Sequence, residues 1–439
     1  MQLRELDGKR ILIWGAGREG AAAVEVLERH CPGAQLSVVA GSSGGDLLGI
    51  VVQPESALPE LLDGTDIVLR SPGVSAYRPE LKGRAVVTGT SLWMAESKGE
   101  RVIAVTGTKG KSTTASLIAH FLQALAKTVE LAGNIGRPVI ELFDVPTPDV
   151  YVLELSSFQT AGLTDSPQVG VVTGLSPEHL DWHGDVSHYY DDKLNLLAWR
   201  SDGTVVVDGG DSEVKKRLGG RDDVCEAATR DAAHVQDGKF FWRTTELFAT
   251  DISPLLGAHN ALNVCLALSA VAASGIDVIE NAPALAEALK TFEALPHRLQ
   301  PVIERDGVLW VDDGLATNVA PTMAALRSFD DRPITVLIGG YDRGVDLSAL
   351  IAYLAATANL TVITMPVTGD RVADALEAWK AGPSVYRTPS LREAVSKAHE
   401  ITKPGGVVLL SPAASSFGAF ENYIARSAAY AAAIMEVIG

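Results

Sequence analysis

At 439 residues, of which 47% are hydrophobic and 21% charged, the chain carries enough apolar material for about two to four cored domains. Its 37 basic against 54 acidic residues leave a formal charge of −17, which excludes an extended nucleic-acid surface and requires that any anion be gripped in a local pocket. Cys31, Cys225 and Cys265 show no paired or metal-ligand spacing, the opening residues lack a signal-like apolar core, and no apolar run nears the roughly 18 residues needed to cross a bilayer. The expectation is a cytoplasmic protein in a reducing compartment, with no membrane contact.

Residues 10–14 (Arg-Ile-Leu-Ile-Trp), then Gly15-Ala16-Gly17-Arg18-Glu19-Gly20 and an alanine-rich stretch, predict the strand, Gly-x-Gly-x-x-Gly turn and helix of a Rossmann-like opening. Short strands follow around 36–40 and 66–70, then a Ser71-Pro72-Gly73 turn; the unit closes near 93–96, and 97–101 is a linker. A dinucleotide site asks for an acid about 20 residues on, at the end of the second strand. The chain reads Val38-Val39-Ala40-Gly41 there, so a nucleoside diphosphate of the UDP type is expected rather than NAD.

Residues 102–106 are a β-branched run that breaks into Gly107-Thr108-Lys109-Gly110-Lys111-Ser112-Thr113 before a helical pattern. This is a strand feeding a phosphate loop. Backbone N–H groups and the helix N-terminus cradle phosphate oxygens, Lys111 reaches the terminal phosphates, and a hydroxyl of Ser112 or Thr113 joins Mg²⁺. Val105 stands where a longer P-loop has its first glycine, so the loop is the short Gly-x-x-Gly-Lys-Ser form of a nucleoside-triphosphate site.

Strands at 150–155 and 169–173 alternate with helices, as in a parallel sheet whose ligands gather at the carboxyl ends of its strands. Glu154 ends the first of these, placed for Mg²⁺. Pro177-Glu178-His179-Leu180-Asp181-Trp182-His183-Gly184 follows the second; His179 is either a ligand of a second metal or a structural histidine. Lys193 lies in the next helix, and the pattern leaves its role open. After shorter strands and turns over 204–248, a helix at 260–274 starts with Asn260 and Asn263, suited to a base or ribose, or in the case of Asn260 to an N-cap.

Strand candidates at 308–311, 334–338, 360–364 and 407–410 alternate with helices at 318–329 and 391–402, a second doubly wound α/β unit. His297-Arg298 stands at its entrance, where arginine suits a phosphate, and Asp313 ends a strand where it suits ribose hydroxyls. Gly339-Gly340-Tyr341-Asp342-Arg343-Gly344 and Ser411-Pro-Ala-Ala-Ser415-Ser416-Phe417-Gly418 offer a guanidinium and hydroxyl or amide donors at one sheet edge, a fit for a small acidic substrate. No internal repeat interrupts this order.

Taken together, Thr106 to Thr113, Gly133-Asn134-Ile-Gly136, Glu154-Leu-Ser-Ser156-Phe-Gln159, Glu178-His179-Leu-Asp181, His259-Asn260-x-x-Asn263, His297-Arg298, Ala316-Thr317-Asn318 and Leu410-Ser-Pro-Ala413 resemble the Mur ligases over essentially the full length, and within them the glutamate-adding MurD branch. The resemblance implies three domains: a Rossmann-like UDP-binding domain (1–96), a central P-loop ATPase (97–297) and a Rossmann-like amino-acid-binding domain (298–439), closing on ATP in a monomer. It implies that Gly15, Ala16, Gly17, Arg18, Ser71, Pro72, Gly73, Asn134, Ser156 and Gln159 hold UDP-N-acetylmuramoyl-L-alanine. Gly107 to Thr113 with Asn260, Asn263, Arg298 and Asp313 would bind ATP. Lys111, Glu154, His179 and Lys193 would be catalytic, with Ser112, Glu154, His179 and a carbamylated Lys193 serving two Mg²⁺ ions. Thr317, Arg343, Ser411, Ser416, Phe417 and Phe420 would receive glutamate.

Two departures bear on the glutamate's handedness. Where enzymes that add D-glutamate carry Asp-Ser-Lys-Ala-Thr-Asn, this chain has Asp313-Gly314-Leu315-Ala316-Thr317-Asn318, and an acid near the end of their Ser-Pro-Ala stretch is here Gly418. The segments 14–20, 90–93, 181–184 and 415–418 are similar instead to the variant class that adds L-glutamate, whose product a separate epimerase inverts. L-glutamate is the expectation, D-glutamate the alternative, and a folylpolyglutamate-synthase-like ligase a distant third that the UDP-type domain disfavours.

Overall fold

The computed structural model describes residues 1–41, 44–198, 203–293, 295–329, 332–342, 344–378 and 382–438. It is a mixed α/β fold with several parallel sheets, and the chain divides into two compact units, Met1–Ser253 with Ala261–Phe292 and Pro254–Asn260 with Glu293–Gly439.

The first unit holds two large sheets. Strands of the N-terminal sheet run in the order Gly45–Leu47, Ile50–Gln53, Gln35–Val39, Arg10–Trp14, Ile67–Arg70, Val86–Val87, parallel except for the hairpin at its Gly45–Leu47 edge. Trp14 pairs with Val39 on one side and Arg70 on the other, so Gly15, Ala40 and Ser71 emerge together at one edge. Strand alternation assigns Ile11 and Ile13 to the core under helix Arg18–His30, and Leu12 and Trp14 to the opposite face. The helix answers with Gly20, Ala23, Val24 and Leu27, the i, i+3, i+4, i+7 spacing of a buried stripe.

The second sheet is wholly parallel, in the order Val224–Ala227, Thr204–Asp208, Val169–Val172, Val102–Thr106, Val150–Glu154, Val129–Gly133. Every residue of Val102–Thr106 is buried, as a central strand covered by helices on both faces demands. The stretch expected as short strands and turns splits: Thr204–Asp208 and Val224–Ala227 extend this sheet, while Ala233–Gln236, Lys239–Trp242 and Thr245–Ala249 form a separate antiparallel meander.

In the second unit the sheet order is Gln300–Arg305, Val308–Asp312, Val407–Leu410, Ile334–Gly340, Leu360–Val367, Ser384–Arg387, with only the Gln300–Arg305 edge antiparallel. The four apolar strands are the expected ones. The two edge strands are half-exposed and polar, so no apolar run announces them.

At the N-terminal turn the glycine pattern answers to sterics. A Cβ at Gly20 would stand 2.0 Å from the Gly15 carbonyl oxygen, and one at Gly15, where φ is +116°, would stand 2.6 Å from Ser71 Cβ. Gly20→Ala therefore overpacks the turn and is expected to cost roughly 1–3 kcal/mol. Urea unfolding checks this, and an unchanged midpoint contradicts it.

Candidate active site

The phosphate loop leaves the carboxyl end of Val102–Thr106 and enters helix Lys111–Ala124. Gly107 (φ +137°) and Gly110 (φ +85°) take left-handed backbone that glycine adopts without strain. Side chains would also collide: a Cβ at Gly107 would lie 2.1 Å from Thr173 Oγ1, and one at Gly110 would lie 2.5 Å from Asn263 Oδ1. Thr108 N–H donates to the Gly174 carbonyl (2.8 Å), and Thr173 Oγ1 donates to the Lys109 carbonyl. Lys111 Nζ turns back to the Thr108 carbonyl at 3.1 Å, while Ser112 and Thr113 are buried in the first helical turn. Asn263 Oδ1 accepts the Thr114 hydroxyl at 3.3 Å.

Parallel pairing sets Glu154 beside Val105, so its carboxylate reaches the edge from which the loop springs. Oε1 accepts Asn134 Nδ2 at 3.0 Å; Oε2 is buried with no hydrogen-bond partner among the described residues. An orphaned carboxylate oxygen at such a depth fits a cation. Lys193, 2% exposed, donates to the Gly107 carbonyl at 2.7 Å and lies over the Tyr189 ring. Burial, then repulsion from Lys111, drives its amine well below the usual lysine range, with Glu178 and Glu154 opposing.

Lys109 pairs with Glu178 at 2.6 Å, which holds that carboxyl low against its own burial. His179 follows in a left-handed conformation (φ +55°), half-exposed, its ring edge-on to Phe158 at 4.9 Å. Burial lowers the His179 imidazole, favouring the neutral ring that binds metals. Lys109, Lys111, Glu154, Glu178, His179 and Lys193 thus act on one another as one electrostatic cluster. Among the described residues no three His, Cys, Asp or Glu side chains converge on a metal position. A divalent ion at the Glu154 oxygen would therefore need further ligands from outside these side chains.

A cavity of about 380 Å³ adjoins this edge, lined by Gly15, Gly17, Arg18, Ser71, Pro72, Gly73, Asn134, Ser156 and Gln159, with Trp14, Glu19, Ala40, Gly41, Glu55, Val74 and Phe158. Of the residues expected to hold a UDP group, it gathers all but Ala16. The Ser156 hydroxyl and N–H donate to Gln159 Oε1, and Gln159 Nε2 donates to Glu19 at 3.0 Å, which ties the wall to the first helix. Arg18 spends its guanidinium on the carbonyls of Gly133, Asn134 and Gly136.

In the second unit, Asp312 accepts His297 Nδ1 (2.7 Å), the Ser427 hydroxyl (2.9 Å) and the Gly314 N–H (2.8 Å). Asp313, expected to face ribose hydroxyls, is buried and takes the Ser411 hydroxyl at 2.7 Å and the Leu299 N–H at 3.2 Å. Ser411, expected at the amino acid, is fully buried, and its hydroxyl braces Asp313 instead. Phe420 packs against the core cluster that contains Trp310 and Tyr430; Phe417 is exposed, Thr317 half-buried and Ser416 buried. Asn260 donates to the Leu256 carbonyl at 2.8 Å, and Arg298 lies close enough to favour the charged form of Asp313. Arg343 lies outside the described residues.

Two buried arginines escaped the sequence reading. Arg70 donates to the carbonyls of Val74 (2.6 Å) and Phe158 (3.3 Å), with its guanidinium over Trp182, and burial lowers it to about 10. Arg426 donates to the carbonyls of Ala414 and Gly314 from helix Tyr423–Ile438, likewise at about 10. A charge ending the apolar run Ile67-Val68-Leu69 was the available signal for the first; the second sits in an alanine-rich stretch without one.

Residues 105–271 match the family model "Mur ligase middle domain" and residues 297–414 match "Mur ligase, glutamate ligase domain". A protein of Micromonospora sp. named UDP-N-acetylmuramoyl-L-alanine--L-glutamate ligase is 42% identical, covering 100% of this chain and 99% of that one. Its namesake in Xylella fastidiosa (strain 9a5c) is 37% identical over 98% and 96% of the two chains. Among solved structures, the MurF ligase of Thermotoga maritima in complex with ADP superposes at a TM-score of 0.58 with 14% identity, covering 100% of this chain and 96% of that one, a likeness of fold.

The second unit carries a pH signature. Burial pushes the Asp313 carboxyl up to about 7. A carboxyl raised on folding takes up a proton as the chain folds, so the stability it contributes is present below about pH 4 and is lost as pH rises through about 7, by up to about 1.4 kcal/mol per pH unit. Urea midpoints of the wild type and Asp313→Asn across that window are expected to show the fall only in the wild type.

Proposed function

The chain belongs to the Mur ligase family, and from that premise we propose that it is an ATP-dependent, ADP-forming ligase of peptidoglycan precursor synthesis that joins L-glutamate to UDP-N-acetylmuramoyl-L-alanine. The observation that carries the reading is the cluster at the carboxyl edge of the parallel sheet, where the phosphate loop, the buried Lys193 and the orphaned Glu154 oxygen converge. In this reading 1–96 hold the UDP group in the cavity behind Ser71-Pro72-Gly73, 97–297 bind ATP, and 298–439 receive glutamate through Thr317, Ser416, Phe417 and Arg343.

The γ-phosphoryl group of ATP passes to the carboxylate of the nucleotide sugar, giving an acyl phosphate. The glutamate amine then attacks that carbonyl and phosphate leaves, so ADP, phosphate and an amide are formed. Loop N–H groups and Lys111 neutralise charge on the phosphoryl oxygens as it moves. Ser112, Glu154, His179 and Lys193 are the residues that would hold two Mg²⁺ ions, which supply further charge neutralisation when bound. A neutral, buried Lys193 amine is the form that would add CO₂ with release of one proton, and the resulting carbamate would be an anionic ligand. The placement in the cytoplasm rests on the ATP and nucleotide-sugar substrates, and one chain supplies all the named residues, in keeping with a monomer.

L-glutamate is favoured by the names of the relatives and by local packing. A Cβ at Gly314 would lie 2.2 Å from Ser427 Oγ, so the serine of the D-glutamate pattern does not fit beneath helix Tyr423–Ile438. Gly418 sits at φ +87°, a strained conformation for an aspartate.

Phosphate release by the purified enzyme with ATP, UDP-N-acetylmuramoyl-L-alanine and each glutamate enantiomer tests the reading, and a clear preference for D-glutamate overturns its stereochemistry. Lys111→Ala and Glu154→Gln are expected to lower kcat by about 10²-fold or more with the melting temperature retained. Turnover near the wild-type rate in either variant removes the site from the chemistry.

A further inference from the structure

Behind the phosphate loop, four side chains form a hydrogen-bonded chain to which the ligase chemistry assigns no task. His183 Nδ1 lies 2.6 Å from Asp192 Oδ2 and Nε2 lies 2.9 Å from Ser157 Oγ; the same Asp192 oxygen accepts the Tyr77 hydroxyl at 3.0 Å. A ring nitrogen beside a carboxylate carries the proton, so Nδ1–H donates to Asp192 and Nε2 accepts the Ser157 hydroxyl. The order of groups is that of a serine hydrolase, yet Ser157 is 2% and His183 1% exposed, which leaves a substrate carbonyl no path to the serine oxygen. A chain whose serine and histidine are buried, with its Tyr77 end open to solvent, fixes orientation instead.

What it orients is on every side of it. Asp192 directly precedes Lys193 on helix Val186–Leu194, so its grip on His183 and Tyr77 sets the rotation that delivers Lys193 to the Gly107 carbonyl. Ser157 opens the helical turn Ser157–Thr160, whose Phe158 and Gln159 wall the nucleotide cavity. The Phe158 ring stacks on His183 (5.5 Å, 21°) and meets the edge of His179. From the neighbouring Trp182, Nε1 donates to the Pro72 carbonyl (3.1 Å) and the backbone carbonyl accepts the Ser75 hydroxyl (2.8 Å).

We propose that the Tyr77–Asp192–His183–Ser157 chain is a positioning device that holds Lys193, His179 and the cavity wall at 156–159 in one frame and ties that frame to the Ser71-Pro72-Gly73 turn. All four are positioning residues, since they act through Lys193, Phe158 and the turn. The inference rests on the ligase reading for its kinetic readout.

The test is steady-state phosphate release with ATP, the nucleotide sugar and glutamate for the wild type, His183→Ala, His183→Gln and Tyr77→Phe, with calorimetric titration of MgADP and a thermal melt for each. His183→Ala is expected to lower kcat about tenfold or more with MgADP affinity retained, because a displaced supporting group costs that much without removing the phosphate loop. His183→Gln, whose amide can reach the Ser157 hydroxyl, is expected to recover part of the loss, and Tyr77→Phe to raise KM for the nucleotide sugar more than it lowers kcat. A wild-type kcat in His183→Ala, or a loss matched by equal loss of MgADP binding and of melting temperature, overturns the proposal. Should the wild type release no phosphate with either glutamate, the ligase reading fails separately. Nitrogen NMR of His183 then decides the chain: an Nδ1–H neutral ring perturbed by Ser157→Ala supports it, and an Nε2–H ring overturns it.

Discussion

A lysine amine held 2.7 Å from the Gly107 carbonyl and removed from water, with Lys111 repelling it, is the constraint around which the first unit is arranged. A buried ammonium of this kind is costly unless it is neutral or compensated. The site supplies both remedies: desolvation favours the free amine, while Glu154 at a strand end and Glu178 in the loop after Val169–Val172 oppose that shift. The loop that Lys193 reaches lies close to Thr173 at position 107 and to Asn263 at position 110, and both approaches are open only to glycine. Glu154 must in turn sit at a strand end in register with Val105, which the parallel pairing provides.

The same economy explains how a chain of net charge −17 binds anions. Lys109 and Lys111 are gathered at one sheet edge, where the N-terminus of helix Lys111–Ala124 adds its own positive end, so the attractive field is local and needs no basic surface. In the second unit a comparable concentration of buried charge does different work. Asp312, Asp313 and Arg426 satisfy one another's neighbours, pinning the Asp312-Asp313-Gly314 turn against helix Tyr423–Ile438 and leaving no room for a side chain at 314.

The contact between the two large sheets of the first unit has an apolar part, where Ile140 and Phe143 join the N-terminal core, and a polar part built largely on backbone carbonyls. Arg70 and Trp182 each bond carbonyl groups across it, and Asp192 receives a tyrosine from the N-terminal side and a histidine from the central side. Such bonds add directional constraint to the placement of the cavity beside Ser71-Pro72-Gly73 relative to the phosphate loop.

Much of this was legible in the chain because it depends on neighbours in sequence. A β-branched run, two glycines and a Lys-Ser pair determine a strand, a loop and a helix start within a dozen residues, and strand ends carry Glu154 and the 178–184 loop to one edge of any parallel sheet. The central apolar strands were equally plain, whereas the half-exposed edges Gln300–Arg305 and Ser384–Arg387 were not, since their partners rather than their composition make them strands. The roles of Arg70, His183, Asp192 and Arg426, and the turning of Ser411 and Asp313 inward upon each other, were decided only by the tertiary structure. Each of these groups is defined by a hydrogen bond to a residue distant in the chain or by the loss of water around it. Sequence encodes local geometry directly, but desolvation and long-range pairing exist only once the sheets have assembled.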